Sequence, residues 1–181
     1  MRILLAALAA FLTAACAPDY NWREVRSAEQ GYVVMLPAKP ASMTRTIRLE
    51  ALEVPMTMQG ARVGDTSFTV AVATLPDASP ETRARAVAAM RAGMVHNLGG
   101  TEREAVAVRV RVVDPAGAAL GEEPGTRVDV EGRAQGRAVS MRGGFVGRGD
   151  LAYQWLVLGP TIDDEQALTF LDSFRLMPVV R

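Results

Sequence analysis

The sequence predicts an α+β fold, a largely antiparallel sheet of about seven strands with two main helices. Three observations predict it. Short runs of alternating apolar and polar residues follow one another over residues 32–73 and again over 106–158. A stretch with helical spacing separates the two sets, and a second one closes the chain. The order is therefore strands, helix, strands, helix, and not alternating βαβ units.

Each element has its own signal. Tyr32-Val33-Val34-Met35-Leu36 is a short apolar run stopped by Pro37 and Pro40. Thr44 to Val54 alternates, with Thr46, Arg48 and Glu50 on one side and Ile47, Leu49 and Ala51 on the other. Pro55 is expected to interrupt, and Met56 to Val63 alternates again. Phe68 to Ala73 follows the turn Gly64-Asp65. The period then changes. Ser79-Pro80-Glu81 supplies an N-cap, a proline at the first helical position and an acid at the positive end of the dipole. Ala84, Val87, Met90, Met94, Val95 and Leu98 form one helical face, and Gly99-Gly100 stops the helix. Val106, Val108, Val110 and Val112 alternate with Arg109 and Arg111. Pro115 to Gly125 reads as a loop. Arg127, Asp129, Glu131 and Arg133 alternate with Val128 and Val130. Arg137 to Val146 and Leu151 to Leu158 are two more strands joined by Gly147-Arg148-Gly149-Asp150. Asp163 or Asp164 caps a last helix with Ala167, Phe170, Leu171 and Phe174 on one face, and the end of the chain has room for one short strand.

The first residues read as a targeting segment. Met1-Arg2 is followed by an apolar run to Leu12 and by Thr13-Ala14-Ala15-Cys16. The run is too short to span a bilayer, which takes about 20 apolar residues. Leu12-Thr13-Ala14-Ala15-Cys16 resembles the bacterial lipobox, in which a signal peptidase cuts before a cysteine whose thiol carries a diacylglycerol. Thr13 departs from the commonest pattern, which has an aliphatic residue three before the cysteine. The resemblance implies a signal peptide over 1–15, lipid on Cys16 (the palmitate-type anchor), a short tether over 16–21 and a single domain over 22–181. The alternative is an ordinary secreted protein cut near Ala15 or Ala17. The lipoprotein reading is preferred because the chain's single Cys falls at this position. Ala17 follows it, and the absence of Asp there favours the outer membrane, facing the periplasm. The tether to Trp22 spans roughly 17 Å at about 3.4 Å per residue. The domain then sits close to the bilayer, and Tyr20 and Trp22 are expected to pack on the domain.

Composition narrows the function classes. Of 181 residues, 20 are basic and 20 acidic, so no charge surplus points to nucleic acid. One Cys excludes an intrachain disulfide and a four-thiolate zinc site, and one His excludes any site with two imidazoles.

Gly144-Phe145-Val146, Tyr153-Gln154-Trp155-Leu156-Val157-Leu158-Gly159-Pro160 and Ala167 to Leu176, ending in Phe170-Leu171-Asp172-Ser173-Phe174-Arg175-Leu176, are the most specific cues in the chain. With Trp22 and Gly31-Tyr32-Val33-Val34-Met35-Leu36-Pro37-Ala38-Lys39-Pro40, they resemble small bacterial envelope proteins of the PsbP-like fold. That resemblance implies an α/β/α sandwich over nearly the whole mature chain. Members of the fold act by docking onto other macromolecules, so it also implies a protein-binding module. It brings no catalytic motif.

The candidate chemistry is sparse. His96 lies about 180° from the centre of the apolar helical face and is expected on the surface. Asp163-Asp164-Glu165 reads as N-capping and not as a calcium site, because it lacks spaced ligands and a loop glycine. Arg148-Gly149-Asp150 reads as a hairpin turn that needs positive φ. No phosphate-binding glycine loop occurs. Arg109, Arg111, Arg127 and Arg133 are a candidate docking patch. Asp129 and Glu131 on the same side make cross-strand charge pairing the stronger account. The expectation is a non-enzymatic, membrane-anchored protein-binding or assembly module of the envelope, with no cofactor, no metal and no nucleic-acid partner. A carrier of a small apolar ligand near the lipid surface is the alternative.

Overall fold

The alternating runs form one sheet. A computed structural model describes residues 20–180. In it, β1 (Arg23–Ser27), β2 (Tyr32–Leu36), β3 (Ala41–Leu49), β4 (Leu52–Val63) and β5 (Thr66–Thr74) precede α1 (Pro80–Asn97). There follow β6 (Thr101–Val113), β7 (Ala119–Ala134), β8 (Arg137–Arg148), β9 (Leu151–Gly159), α2 (Asp164–Ser173) and β10 (Arg175–Leu176). The sheet order is β1-β2-β10-β6-β7-β8-β9-β5-β4-β3. Neighbours are antiparallel throughout, except β10 beside β6.

This corrects the expected fold. The chain is not a seven-strand α/β/α sandwich of the PsbP-like kind. Ten strands form a single sheet curled into a half-barrel, and strand takes up 57% of the structure against 17% for helix. Three local readings explain the difference. Thr44 to Val54 is not one strand, because Glu50 adopts φ 53° and turns the chain between β3 and β4. Pro55 does not break β4. Pairing with β5 starts only at Met56, so no hydrogen bond to that strand requires the proline's missing N–H. Residues 119–125, read as loop, open β7, and β1 is a charged edge strand with no apolar run to announce it.

The helix ends follow their sequence signals. Ser79 Oγ accepts a hydrogen bond from the Thr82 amide at 3.2 Å, and Asp163 Oδ1 accepts one from the Gln166 amide at 3.0 Å. Beyond α1, the Gly100 amide donates to the Val95 carbonyl and the Gly99 amide to the His96 carbonyl, a Schellman ending with Gly99 at φ 50°. The apolar face of α1 differs in one place. Ala86 and Met90 are buried, whereas Ala84 faces an open cleft.

The helices lie on opposite faces of the sheet. Along β9, Tyr153, Trp155 and Val157 pack with Phe170, Leu171 and Phe174 around α2, while Ala152 and Leu156 pack with Ala86 and Met90 of α1. The α2 face is the inside of the curl. The Tyr32 hydroxyl on β2 donates to Gln59 Oε1 on β4 at 2.7 Å. Those strands are seven places apart, roughly 34 Å on a flat sheet at about 4.8 Å per strand. The chain before β1 adds to the closure. Tyr20 and Trp22 stack on each other and meet Phe68 edge-on, and Trp22 Nε1 donates to Gln166 Oε1 at 3.2 Å.

Candidate functional site

Strand β6 is 13 residues long, but β10 covers only its end, through the pair Leu176 and Val112. From Thr101 to Arg111, β6 pairs with β7 on one side and, among the described residues, with no strand on the other. Register shifts at Glu102/Glu104 and at Val112/Val113 bracket the regular stretch between them. The result is an open strand edge within the sheet, in addition to the outer edges of β1 and β3.

Two open grooves run along this edge on the α2 face. One, of about 310 Å³, is bordered by residues 108–111 of β6, Arg127, Trp155, Leu171, Asp172 and Phe174, and so combines an aromatic floor with charged walls. The other, of about 290 Å³, lies against Glu104, Val106, Val108 and Asp129. Trp155 forms the floor of the first. It is held by its Nε1–H donating to the Leu171 carbonyl at 3.2 Å and by stacking on Phe174 at 4.3 Å. Gly144 makes the stacking possible, because a Cβ there would fall inside the Trp155 ring. Val106 is 46% exposed at the rim.

The predicted arginine patch divides between the two faces. Val106 stands opposite Arg127, and Arg109 opposite Pro124, so Arg109 and Arg111 point to the α1 face while Arg127 points to the α2 face. Arg127 donates to Asp172 at 2.6 Å, and its Nε is buried with no partner. Arg133 donates to the Gly136 carbonyl at the end of its hairpin. Arg109 and Arg111 are exposed and, among the described residues, form no ion pair. Glu122 stands opposite Arg111 without reaching it. Cross-strand charge pairing does occur on the α2 face, between Arg142 and Asp129 at 3.7 Å and between Arg103 and Glu131 at 2.8 Å.

The remaining candidates resolve simply. Cys16 lies outside the described residues. His96 is exposed at the end of α1. Asp163 caps α2, and Asp164 pairs with Arg142 at 2.7 Å. Gly149 takes φ 57° in the β8–β9 turn. Arg148 is engaged by Glu123 at 3.4 Å and by the Met177 carbonyl at 3.1 Å.

On the other face, α1 and the β7–β8 strands border a cleft of about 490 Å³ that includes Arg83, Ala84, Val87, Arg91 and Thr126. Arg91 holds Glu102 through two hydrogen bonds, one of them Nε to Oε2 at 2.8 Å. These bonds lower the Glu102 carboxyl below its ordinary value and raise Arg91. Burial pushes the Tyr32 phenol up to about 12 and raises Tyr153 further still. Among the described residues, no three His, Cys, Asp or Glu side chains converge as a metal site.

The open edge of β6 is what sequence reasoning missed. The run Val106 to Val112 reads as a strand in sequence, but nothing local tells which of its two sides is paired. Comparisons with known proteins add only a distant likeness. No family model and no curated protein matches the chain. Among solved structures, the chain is similar to PA94, a protein of unknown function from Pseudomonas aeruginosa. The identity is 14% and the TM-score 0.40, over 82% of this chain and 94% of that one.

Proposed function

We propose that the chain is an envelope lipoprotein, anchored in the outer membrane through acyl chains on Cys16 and facing the periplasm, that binds another envelope protein and performs no chemistry of its own. The anchoring is supported by the single Cys at the end of Leu12-Thr13-Ala14-Ala15-Cys16, and the docking of Tyr20 and Trp22 on Phe68 bears on how near an anchor there would hold the domain. Three residues separate Cys16 from Tyr20. A lipid on Cys16 would therefore be tethered to the domain by at most roughly 14 Å of chain, at about 3.4 Å per residue. Acyl chains contribute about 0.8 kcal/mol per buried CH₂, so two or three of them hold the domain against the bilayer.

The binding role is supported by the kind of surface present. A carrier of a small apolar ligand calls for an enclosed apolar cavity of about 300 Å³ or more. The cleft under α1 is open and carries Arg83 and Arg91, and an apolar shelf of about 610 Å³ on β3 and β4 is likewise open. Open grooves beside a free strand edge suit a macromolecular partner better. Cys16→Ala is expected to abolish metabolic labelling with palmitate and to release the protein from membranes. Labelling that persists in the variant overturns the anchor. Crosslinking in cells reads the binding role, and the absence of any crosslinked protein counts against it.

A further inference from the structure

The lipoprotein reading, on which this inference rests, leaves open which face of the domain meets the membrane. We propose that the apolar shelf on β3 and β4 is that face. It is seated on the headgroups of an anionic phospholipid bilayer, with Lys39 and Arg45 on lipid phosphates and Met43 and Met58 toward the acyl boundary.

The shelf is a stretch of sheet that α1 leaves bare. Residues opposite one another in an antiparallel pair share a face, so Met43 with Met58, Arg45 with Met56 and Ile47 with Val54 lie on the α1 side. Ile47, Val54 and Met56 are taken up by the cluster around Ala86 and Met90 of α1. Further along the two strands that cover ends. Met58 is only half-buried, Met43 is 55% exposed, and the next pair, Ala41 and Gly60, adds no bulk. The opening has a volume of about 610 Å³. An exposed apolar area rimmed by polar residues marks an interaction surface, a membrane among them.

The charge on this face has one sign. Lys39 and Arg62 line the shelf, Arg45 stands next to Met43 on the same face, and among the described residues no carboxylate lines it. Arg62 is engaged by Asp65 at 3.3 Å. Lys39 and Arg45 are exposed and, among the described residues, form no ion pair. Their stems can lie along apolar surface while the charged ends reach phosphate, and anionic lipid attracts them.

The tether meets the domain at the same corner. Tyr20 packs edge-on against Phe68 of β5, and Ser67 and Thr69 on either side of Phe68 line the shelf from the opposite face. The Asn21 amide donates to the Pro37 carbonyl at 2.7 Å. Lys39 follows two residues on, roughly 7 Å at about 3.4 Å per residue. A lipid on Cys16, held by at most roughly 14 Å of chain, can therefore enter a bilayer that the shelf touches. A second copy of the chain is the poorer occupant. Shelf against shelf sets Lys39 and Arg45 of both copies together, with no carboxylate on the shelf to meet them.

The test uses the full lipidated chain, reconstituted into vesicles of phosphatidylethanolamine and phosphatidylglycerol that carry a phospholipid spin-labelled near its headgroup. An environment-sensitive fluorophore is placed on Met43→Cys or on Leu120→Cys, which is equally exposed but five strands away in the sheet. The label at 43 is expected to be blue-shifted and quenched by the spin-labelled lipid, and the label at 120 to be neither. Quenching should fall by about half when Lys39→Gln/Arg45→Gln is added, and likewise in about 1 M salt. Equal quenching at both positions, or none at 43, overturns the shelf assignment. A label at 43 that is blue-shifted but unquenched means a second copy covers the shelf, and overturns it as well. Unchanged quenching in the double variant overturns the role of the two cations. Palmitate labelling reads the anchor separately. With palmitate present and the label at 43 in water, the shelf assignment fails while the anchor stands; with no palmitate on the chain, the anchor fails and this assignment with it.

Discussion

Gln154 sits in the middle of β9 between Ala71 on β5 and Phe145 on β8. It is 7% exposed, and its Oε1 has no hydrogen-bond partner. A buried carbonyl oxygen without a partner carries its desolvation cost unrelieved. Gln154→Leu is therefore expected to stabilise the protein, by about 1 kcal/mol. A rise in the urea midpoint at unchanged slope reports it; a fall means that Gln154 makes an interaction through water. Periodicity places Gln154 in a strand. It does not say that both faces of that strand are covered, which is what leaves the amide stranded.

At the scale of elements, the ion pair of Arg91 and Glu102 ties α1 to the start of β6. Both side chains are about a third exposed, so the pair contributes only about 1 kcal/mol. Its carboxyl is lowered in the folded state. The contribution is present above the unfolded value and is lost as pH falls through the folded one. Glu102→Gln should therefore lower stability near neutral pH by about that amount and flatten the acid limb of the stability curve below about pH 4.5. Parallel wild-type and variant curves across that range rule the pair out as a source of acid sensitivity. The elements themselves were largely legible. Both caps, the glycine stop after α1 and the buried face of α2 stand as their residues indicate. The misread places have physical causes. Glu50 turns the chain without glycine or proline, Arg23–Ser27 is too charged to show a run, and residues 119–125 have loop composition in a strand held by β6 and β8. Of the candidate site, Arg109 and Arg111 were legible as a pair, but their separation from Arg127 was not. Face assignment depends on cross-strand register.

For the whole molecule, curvature is the property that no local pattern records. The hydrogen bond from Tyr32 to Gln59 closes the sheet on itself, and burial holds that phenol near a value of about 12. An unfolded tyrosine ionises near pH 10, so the folded state binds the extra proton between about pH 10 and 12 and loses stability as pH rises through that window. Tyr32→Phe should make the alkaline decline shallower while costing about 1 kcal/mol at neutral pH. An unchanged alkaline slope means that Tyr32 is not a source of the decline.

The two residues of β10 govern the order in which this sheet is assembled. Among the described residues, the hairpin of β1 and β2 is paired into the rest of the sheet through Arg175 and Leu176, with Tyr32 also bonded to Gln59 across the curl. The hairpin of β1 and β2 can form early, and β3 to β9 can pack beside it. The two are joined in one sheet only once β10 is in place. That long-range closure makes final docking slow relative to the local hairpins. Until it occurs, the β2 strand and the Tyr32 side of the core stay uncovered.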